Sequence, residues 1–310
     1  MYLNNTSYSG NDNVLNITGR NILINGSSSD NNGFSSFDGS NAKNGTLLNI
    51  TGHSNVTLRN IIFQNFKNTT IKIDNSNVNF IDCSFIDNSV TDGDGGAIYV
   101  NGGSVTLNNC NFTNNKAITT GAITSFSLFN DDGEGPGGIN SQGGAISLNN
   151  TKSNFNNCNF INNRATDGGA LYIISGSNNF TNCKFTGNTA ETIYRVVGGN
   201  IGMGVGGAVY INTGNGKFDK CDFTDNKANG TGGAVEIDVA DEGKCSGTFN
   251  SCNFNNNRAE YGGAISVYGG SGTITNSNFN NNKADYGAGI YTFQSTDTIT
   301  GCSFSNNNAV

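Results

Sequence analysis

The sequence predicts an all-β chain wound as a parallel β-helix of about ten coils, with three short strands to each coil. Three observations predict it. A Cys-x-Phe-x-x-Asn phrase recurs with its phenylalanine at Phe85, Phe112, Phe160, Phe185, Phe223, Phe254, Phe279 and Phe304, a base period near 25 residues with occasional insertions. Self-similarity at such a period marks a solenoid, because each unit can bury its apolar face only against its neighbours. A second phrase, Gly-Gly-Ala followed by aliphatic, variable, aliphatic, recurs in step with the first. Finally, 44 Gly and a single Pro in 310 residues suit strands and tight turns, and no useful helical apolar period appears.

The first strand of the unit follows the glycine pair. Ile98, Ile146, Leu171, Val209, Val235, Ile265 and Ile290 fill one position of it, and Val100, Leu148, Ile173, Ile211, Ile237 and Val267 fill the position two further on. These point inward. The residue between them is Tyr99, Ser147, Tyr172, Tyr210, Glu236, Ser266 or Tyr291, an outward position on a structure of period two. The second strand carries Leu107, Phe155, Phe180, Phe218, Phe249, Ile274 and Ile299 three residues before the Cys position. The third is the Cys-x-Phe strand itself. Stacked coils bring like residues about 4.8 Å apart.

Such stacking accounts for the asparagine, about a fifth of the chain. The Asn of the phrase recurs at Asn88, Asn115, Asn163, Asn188, Asn226, Asn257, Asn282 and Asn307. A side-chain amide donates and accepts, so a column of them bonds along the axis. Asn also tolerates the left-handed backbone of a tight corner, and the glycine pair supplies the next corner.

Along the chain, residues 1–25 hold two apolar phrases that fit a degenerate first coil, and a polar stretch at 26–45 loops out. Apolar phrases without glycine pairs then continue to Cys83. From there the repeat is regular apart from insertions at 118–142, 191–205 and 238–247, expected as side loops, and loops carry function more often than coils do. Residues 1–310 are expected to form a single β-helix domain.

Net charge is −7 and the only histidine is His53. A nucleic-acid backbone would be repelled and an anionic membrane surface is disfavoured. Seven of eight cysteines occupy one repeat position, with Ser277 substituting in one coil, so they stack with Cβ atoms farther apart than a disulfide prefers. They are expected as a ladder of small buried thiols. Cys245, outside the ladder, is expected to be the reactive one. With one His and no Cys-x-x-Cys pair, no zinc site and no cofactor are expected. The start lacks a secretory signal, no apolar span follows, and the array ends in mid-phrase. The expectation is a piece of a longer exported chain, monomeric within it, whose signal and anchor lie elsewhere.

The repeated Gly-Gly-Ala-aliphatic and Phe-x-x-Asn phrases resemble those of chlamydial polymorphic outer-membrane proteins. The fuller phrase, Asn-Cys-x-Phe-x-Asn-Asn-x-Ala-x-x-Gly-Gly-Ala-Ile-Tyr in an acidic Asn/Thr-rich chain, is similar to adhesin-like surface proteins of methanogenic archaea. The resemblance covers about residues 78–310. It implies the pectin-lyase-like right-handed β-helix and an exported, extracellular, surface-attached protein that mediates adhesion.

That fold also hosts polysaccharide lyases and hydrolases, so the acids matter. Asp92, Asp94, Asp167, Asp219, Asp222, Glu236 and Asp238 do not recur in columns, and Asp222 and Glu236 fall on different faces, so no carboxylate pair for glycoside hydrolysis is evident. A non-enzymatic adhesin is therefore expected, binding glycan or protein on another cell by many weak contacts along a rigid rod. A passive stalk and a polysaccharide-cleaving enzyme are the alternatives. The candidate ligand-binding residues are Tyr172 and Tyr210, an outward pair on adjacent coils whose flat rings suit sugars and proteins alike. Tyr261 and Tyr286, beside glycine corners, form a second adjacent pair. Asp131, Asp132 and Glu134 in the acidic insertion offer oxygen ligands for calcium. Asn-x-Ser/Thr sequons are frequent, as this composition alone would produce.

Overall fold

A computed structural model describes residues 7–9, 14–26, 35–42, 45–120, 141–191, 195–196, 199–200, 204–239 and 245–310. Among them every regular element is a strand, and apart from one antiparallel pair, Arg195–Val196 with Gly199–Asn200, the paired strands run parallel. The chain is a right-handed parallel β-helix. Its eight Cys-x-Phe strands and the three strands stacked before them form one continuous sheet of eleven, from Ser7–Ser9 to Ser303–Ser305, so eleven coils are stacked.

Two of the three expected strands prove to be one hydrogen-bonded element in the central coils. Ile71–Ile81, Ile98–Asn108, Ile146–Asn156 and Leu171–Thr181 each run through eleven residues. A left-handed residue in mid-strand, such as Asn75, Gly102, Asn150 or Ser175, bends each of them, so the two halves face the core from different directions. The third row of strands lies after the ladder asparagine, as in Ser89–Thr91, Lys116–Ile118 and Arg164–Ala165. Only one inward residue identifies it, Val90, Ala117 or Ala165, too short a run to show a period of two.

The register is the predicted one. Phe112 pairs with Phe85 and Phe160, and Ile98 with Ile71 and Ile146. The phenylalanine column is stacked throughout, with ring centroids 4.7 Å apart at Phe85–Phe112 and 4.8 Å at Phe223–Phe254. A second aromatic column, Phe155, Phe180, Phe218 and Phe249, meets the first edge-on, for example at 5.6 Å between Phe218 and Phe223. Apart from Phe304 in the last coil, which is exposed, each of the rings named in the two columns is fully buried and contributes about 1.5–3 kcal/mol by burial, with about 0.5–1.5 kcal/mol more from pairing.

The asparagine ladder closes every bond it has. Asn163 donates one amide proton to the carbonyl of Phe112 (3.0 Å) and the other to Oδ1 of Asn188 (3.0 Å), which also accepts the Asn163 backbone N–H (3.0 Å). The same set repeats from Asn88 to Asn282. The left-handed corner residue is the one before the ladder asparagine, Asn114, Asn162 or Asn256, and a second corner precedes the cysteine, at Asn109, Asn157 or Asn182. The ladder asparagine is thereby freed to turn inward.

All eight cysteines are free thiols. Ladder thiols donate to carbonyls, as Cys183 does to Thr181 at 3.4 Å. Cys245 is not the accessible one: it is buried at 4 % exposure against the core, and burial followed by the nearby Asp238 charge pushes its pKa up to about 12. Cys302, in the last coil, is the thiol with solvent access.

Candidate ligand-binding face

Three columns of residues run side by side along the outside of the sheet that follows the glycine pairs. The residue before each pair makes the first: Asp94, Gln142, Asp167, Val205, Thr231, Tyr261 and Tyr286. Isolated bridges tie several neighbours of this column together, Gln142 to Asp167 and Thr231 to Tyr261 to Tyr286. The outward strand position makes the second: Tyr99, Ser147, Tyr172, Tyr210, Glu236, Ser266 and Tyr291. Two residues further on lies the third: Asn101, Asn149, Ile174 and, after a local break, Asn212, Asp238, Tyr268 and Phe293.

The insertions converge on this face. Those at 118–142 and 191–205 end at Gln142 and Val205 in the first column, and the one at 238–247 begins at Asp238 in the third. Separated in the sequence by dozens of residues, they join the coils at the two borders of one strip of sheet. Most residues of these insertions, Asp131, Asp132 and Glu134 among them, lie outside the described residues.

Tyr172 and Tyr210 are register partners on adjacent strands, with ring centroids 5.3 Å apart. They are not the exposed platform that strand alternation predicts, since only 4 % and 8 % of their surfaces are accessible. Their hydroxyls are engaged along the face: Asn212 donates to the Tyr172 oxygen at 3.2 Å, and Tyr210 bonds the Asp238 carboxyl. Burial raises the Tyr172 pKa to about 12 and that of Tyr210 well above the ordinary phenol range. Ser147, Glu236 and Ser266 in the same column are also buried, so the middle of the strip is a covered polar seam. Period two tells which way a side chain leaves the sheet; what lies over it is decided elsewhere in the chain.

The structure gathers acids that the sequence leaves scattered. Asp94 and Asp167 occupy one column, each bonding a backbone N–H of the next coil, Gln142 at 2.8 Å and Val205 at 3.2 Å. Burial raises the Asp167 pKa to about 6, with the Val205 N–H and the Gln142 side chain pulling it back and Asp94 adding to the rise. Glu236, 3 % exposed, is raised to about 8 by burial, moderated by the Thr231 and Ser266 hydroxyls and increased by Asp238. The available signal was the acid directly before a glycine pair, in Asp94-Gly95-Gly96 and Asp167-Gly168-Gly169. Asp222 stands on the Cys-x-Phe sheet, away from Glu236, as expected. Three side-chain oxygens of the seam are buried without a hydrogen-bond partner: Ser147 Oγ, Asn212 Oδ1 and Glu236 Oε2.

In the last two coils the strip turns aromatic and opens to solvent. Tyr261 and Tyr286 stack at 4.8 Å, and Tyr291 meets Tyr261 edge-on at 5.2 Å. In the third column Tyr268 and Phe293 stack at 5.0 Å. Tyr286 is 56 % exposed, Tyr268 46 % and Phe293 40 %. Arg164, a conceivable lyase base, sits on another sheet and is paired with Glu191 at 3.0 Å.

A rod of identical coils with one differentiated strip is the architecture of a β-helical repeat region. The chain belongs to the right-handed beta helix region family, whose match covers residues 138–309. Residues 82–101 match the repeat of the Chlamydia polymorphic membrane protein, which suits a surface-protein repeat region. No curated protein matches the chain.

Proposed function

We propose that this chain is the non-enzymatic repeat region of a cell-surface adhesin, displayed outside the cell, and that it grips a glycan of another cell at the aromatic end of the strip. The stacking of Tyr261 on Tyr286 and of Tyr268 on Phe293 carries the reading, with Tyr268 46 % exposed although a coil pairs with its strand on either side. Ring edges and hydroxyls offer apolar contact and hydrogen bonds together, the combination a pyranose presents in return. Many weak contacts along a stiff rod would then sum to firm attachment. The buried pair Tyr172 and Tyr210 serves the seam beneath and not the contact itself. The polymorphic membrane protein repeat supports surface display.

The test is binding of the purified chain to a broad glycan array, followed by polysaccharide incubation with detection of new reducing ends. Binding that falls at least tenfold in Tyr268→Ala and Tyr286→Ala, with no product released, is the expected result. Absence of any glycan binding would remove the glycan reading in favour of a bare stalk or a protein ligand, and released product would make the chain an enzyme.

A further inference from the structure

We propose that Asn212, Glu236 and Asp238 form a calcium site in the polar seam. The exterior amide ladders share one direction. Each amide N–H points to the preceding coil: Asn149 donates to Asn101 and Asn101 to Asp74, both at 3.1 Å, while Asn109 donates to Asp82 and Asn114 to Asp87. In these ladders the aspartate stands where it accepts. Asn212 keeps the direction, donating to the Tyr172 hydroxyl of the preceding coil at 3.2 Å, so its Oδ1 faces the following coil. Its register partner there is Asp238. Two acceptors therefore meet with no proton between them, and Asn212 Oδ1 is buried without a partner.

One outward position along the same strand from Asp238, Glu236 repeats the situation. It is 3 % exposed, its Oε1 takes the Ser266 hydroxyl at 3.3 Å, and its Oε2 is buried without a partner. Buried polar atoms in folded proteins are almost always satisfied, so two orphaned oxygens in the electrostatic neighbourhood of Asp238 call for a missing partner. No Lys, Arg or His stands in the neighbouring positions of the three columns, which hold Val205, Thr231, Tyr261, Tyr210, Ser266 and Tyr268. Among the described residues, then, no cationic side chain answers these oxygens.

The missing partner's chemistry follows from the donors. Two carboxyl groups and an amide carbonyl, within about 7 Å by the strand rise and coil spacing, are hard oxygen ligands that supply two negative charges once a bound cation displaces the proton that Glu236 holds. That set suits calcium, which accepts irregular oxygen shells completed by water, better than zinc or copper, which favour nitrogen and sulfur, or magnesium, which demands a regular octahedron. Few protein ligands place the affinity at about 10⁻⁴–10⁻³ M, the range of extracellular modules. The site stands independently of the glycan reading, because the ion alone is the probe.

Isothermal titration calorimetry of the full chain with calcium chloride, and with magnesium chloride for comparison, tests it. One calcium per chain is expected, with affinity falling at least tenfold in the isosteric variants Glu236→Gln and Asp238→Asn, and with magnesium binding more weakly. Circular dichroism keeps the variants comparable, since both are expected to retain the strand spectrum. The triple variant Asp131→Asn, Asp132→Asn, Glu134→Gln is expected to bind as the parent does. No heat up to 10 mM calcium, or loss of binding in the triple variant alone, would overturn the assignment.

Discussion

Replacing Asn188 by alanine removes the middle rung of the buried ladder. Asn188 is fully buried. Its amide donates to the carbonyl of Phe160 (2.9 Å) and to Oδ1 of Asn226 (3.0 Å), and its Oδ1 accepts both the backbone N–H and the amide of Asn163 (3.0 Å each). Alanine leaves two groups without partners, the Asn163 backbone N–H and one Asn163 amide proton, while the Phe160 carbonyl loses one bond but stays within the strand pairing with Lys184–Thr186. Asn226 Oδ1 keeps its bond from the Asn188 backbone. At about 1–2 kcal/mol for each stranded group the cost is about 2–4 kcal/mol. Spread over the unfolding entropy of a chain this long, that lowers the thermal midpoint by about 3–6 °C. The assay is thermal and urea unfolding followed by circular dichroism, beside Asn307→Ala as control. Asn307 makes the analogous bonds at the partly exposed end, where water replaces them, so its loss should cost less than about 1 kcal/mol. Equal destabilisation by the two variants, or a cost below about 1 kcal/mol for Asn188→Ala, would refute the view that satisfied burial is what the ladder contributes. Asn188→Asp sharpens the point: the carboxylate would face two acceptors, so this variant should gain stability as pH falls and the carboxyl takes a proton.

Further outcomes follow from the same geometry. Asp167, raised to about 6 from the usual 3.8 by burial, favours folding while protonated; stability is full below about pH 4 and falls by about 3 kcal/mol as pH rises through 6, and Asp167→Asn should flatten that part of a pH-stability profile. In the native chain a thiol reagent should label Cys302 first, with Cys245 and the other ladder cysteines responding only after denaturant is added, as mass spectrometry of labelled peptides would show. Gly169→Ala should cost more than about 3 kcal/mol in urea unfolding although its backbone angle is ordinary. An added Cβ there lies 2.2 Å from the Gly207 carbonyl oxygen and 2.6 Å from Thr189 backbone atoms, so whole coils would have to separate.

The solenoid was legible in the sequence because a repeat writes its own register. When every coil places Phe and Asn at the same offset, stacking in step buries all the rings and satisfies all the amides, and any other register does neither. The phenylalanine column, the thiol column and the asparagine ladder could therefore be named residue by residue, as could the adjacency of Tyr172 to Tyr210 and of Tyr261 to Tyr286. Tertiary structure alone decided which outward residues meet solvent. Alternation gives the direction of a side chain, whereas cover comes from residues distant in sequence, which is why Tyr172 and Tyr210 are buried and Tyr268 and Tyr286 are open. The same reason hid the acids. Asp94 and Asp167 share one repeat position with Gln142 between them, Glu236 and Asp238 hold two others, and all four look scattered along the chain, but winding the coil lays those positions side by side. Short-range pattern fixes the coil, and only the stacking of coils brings unlike positions into one electrostatic neighbourhood.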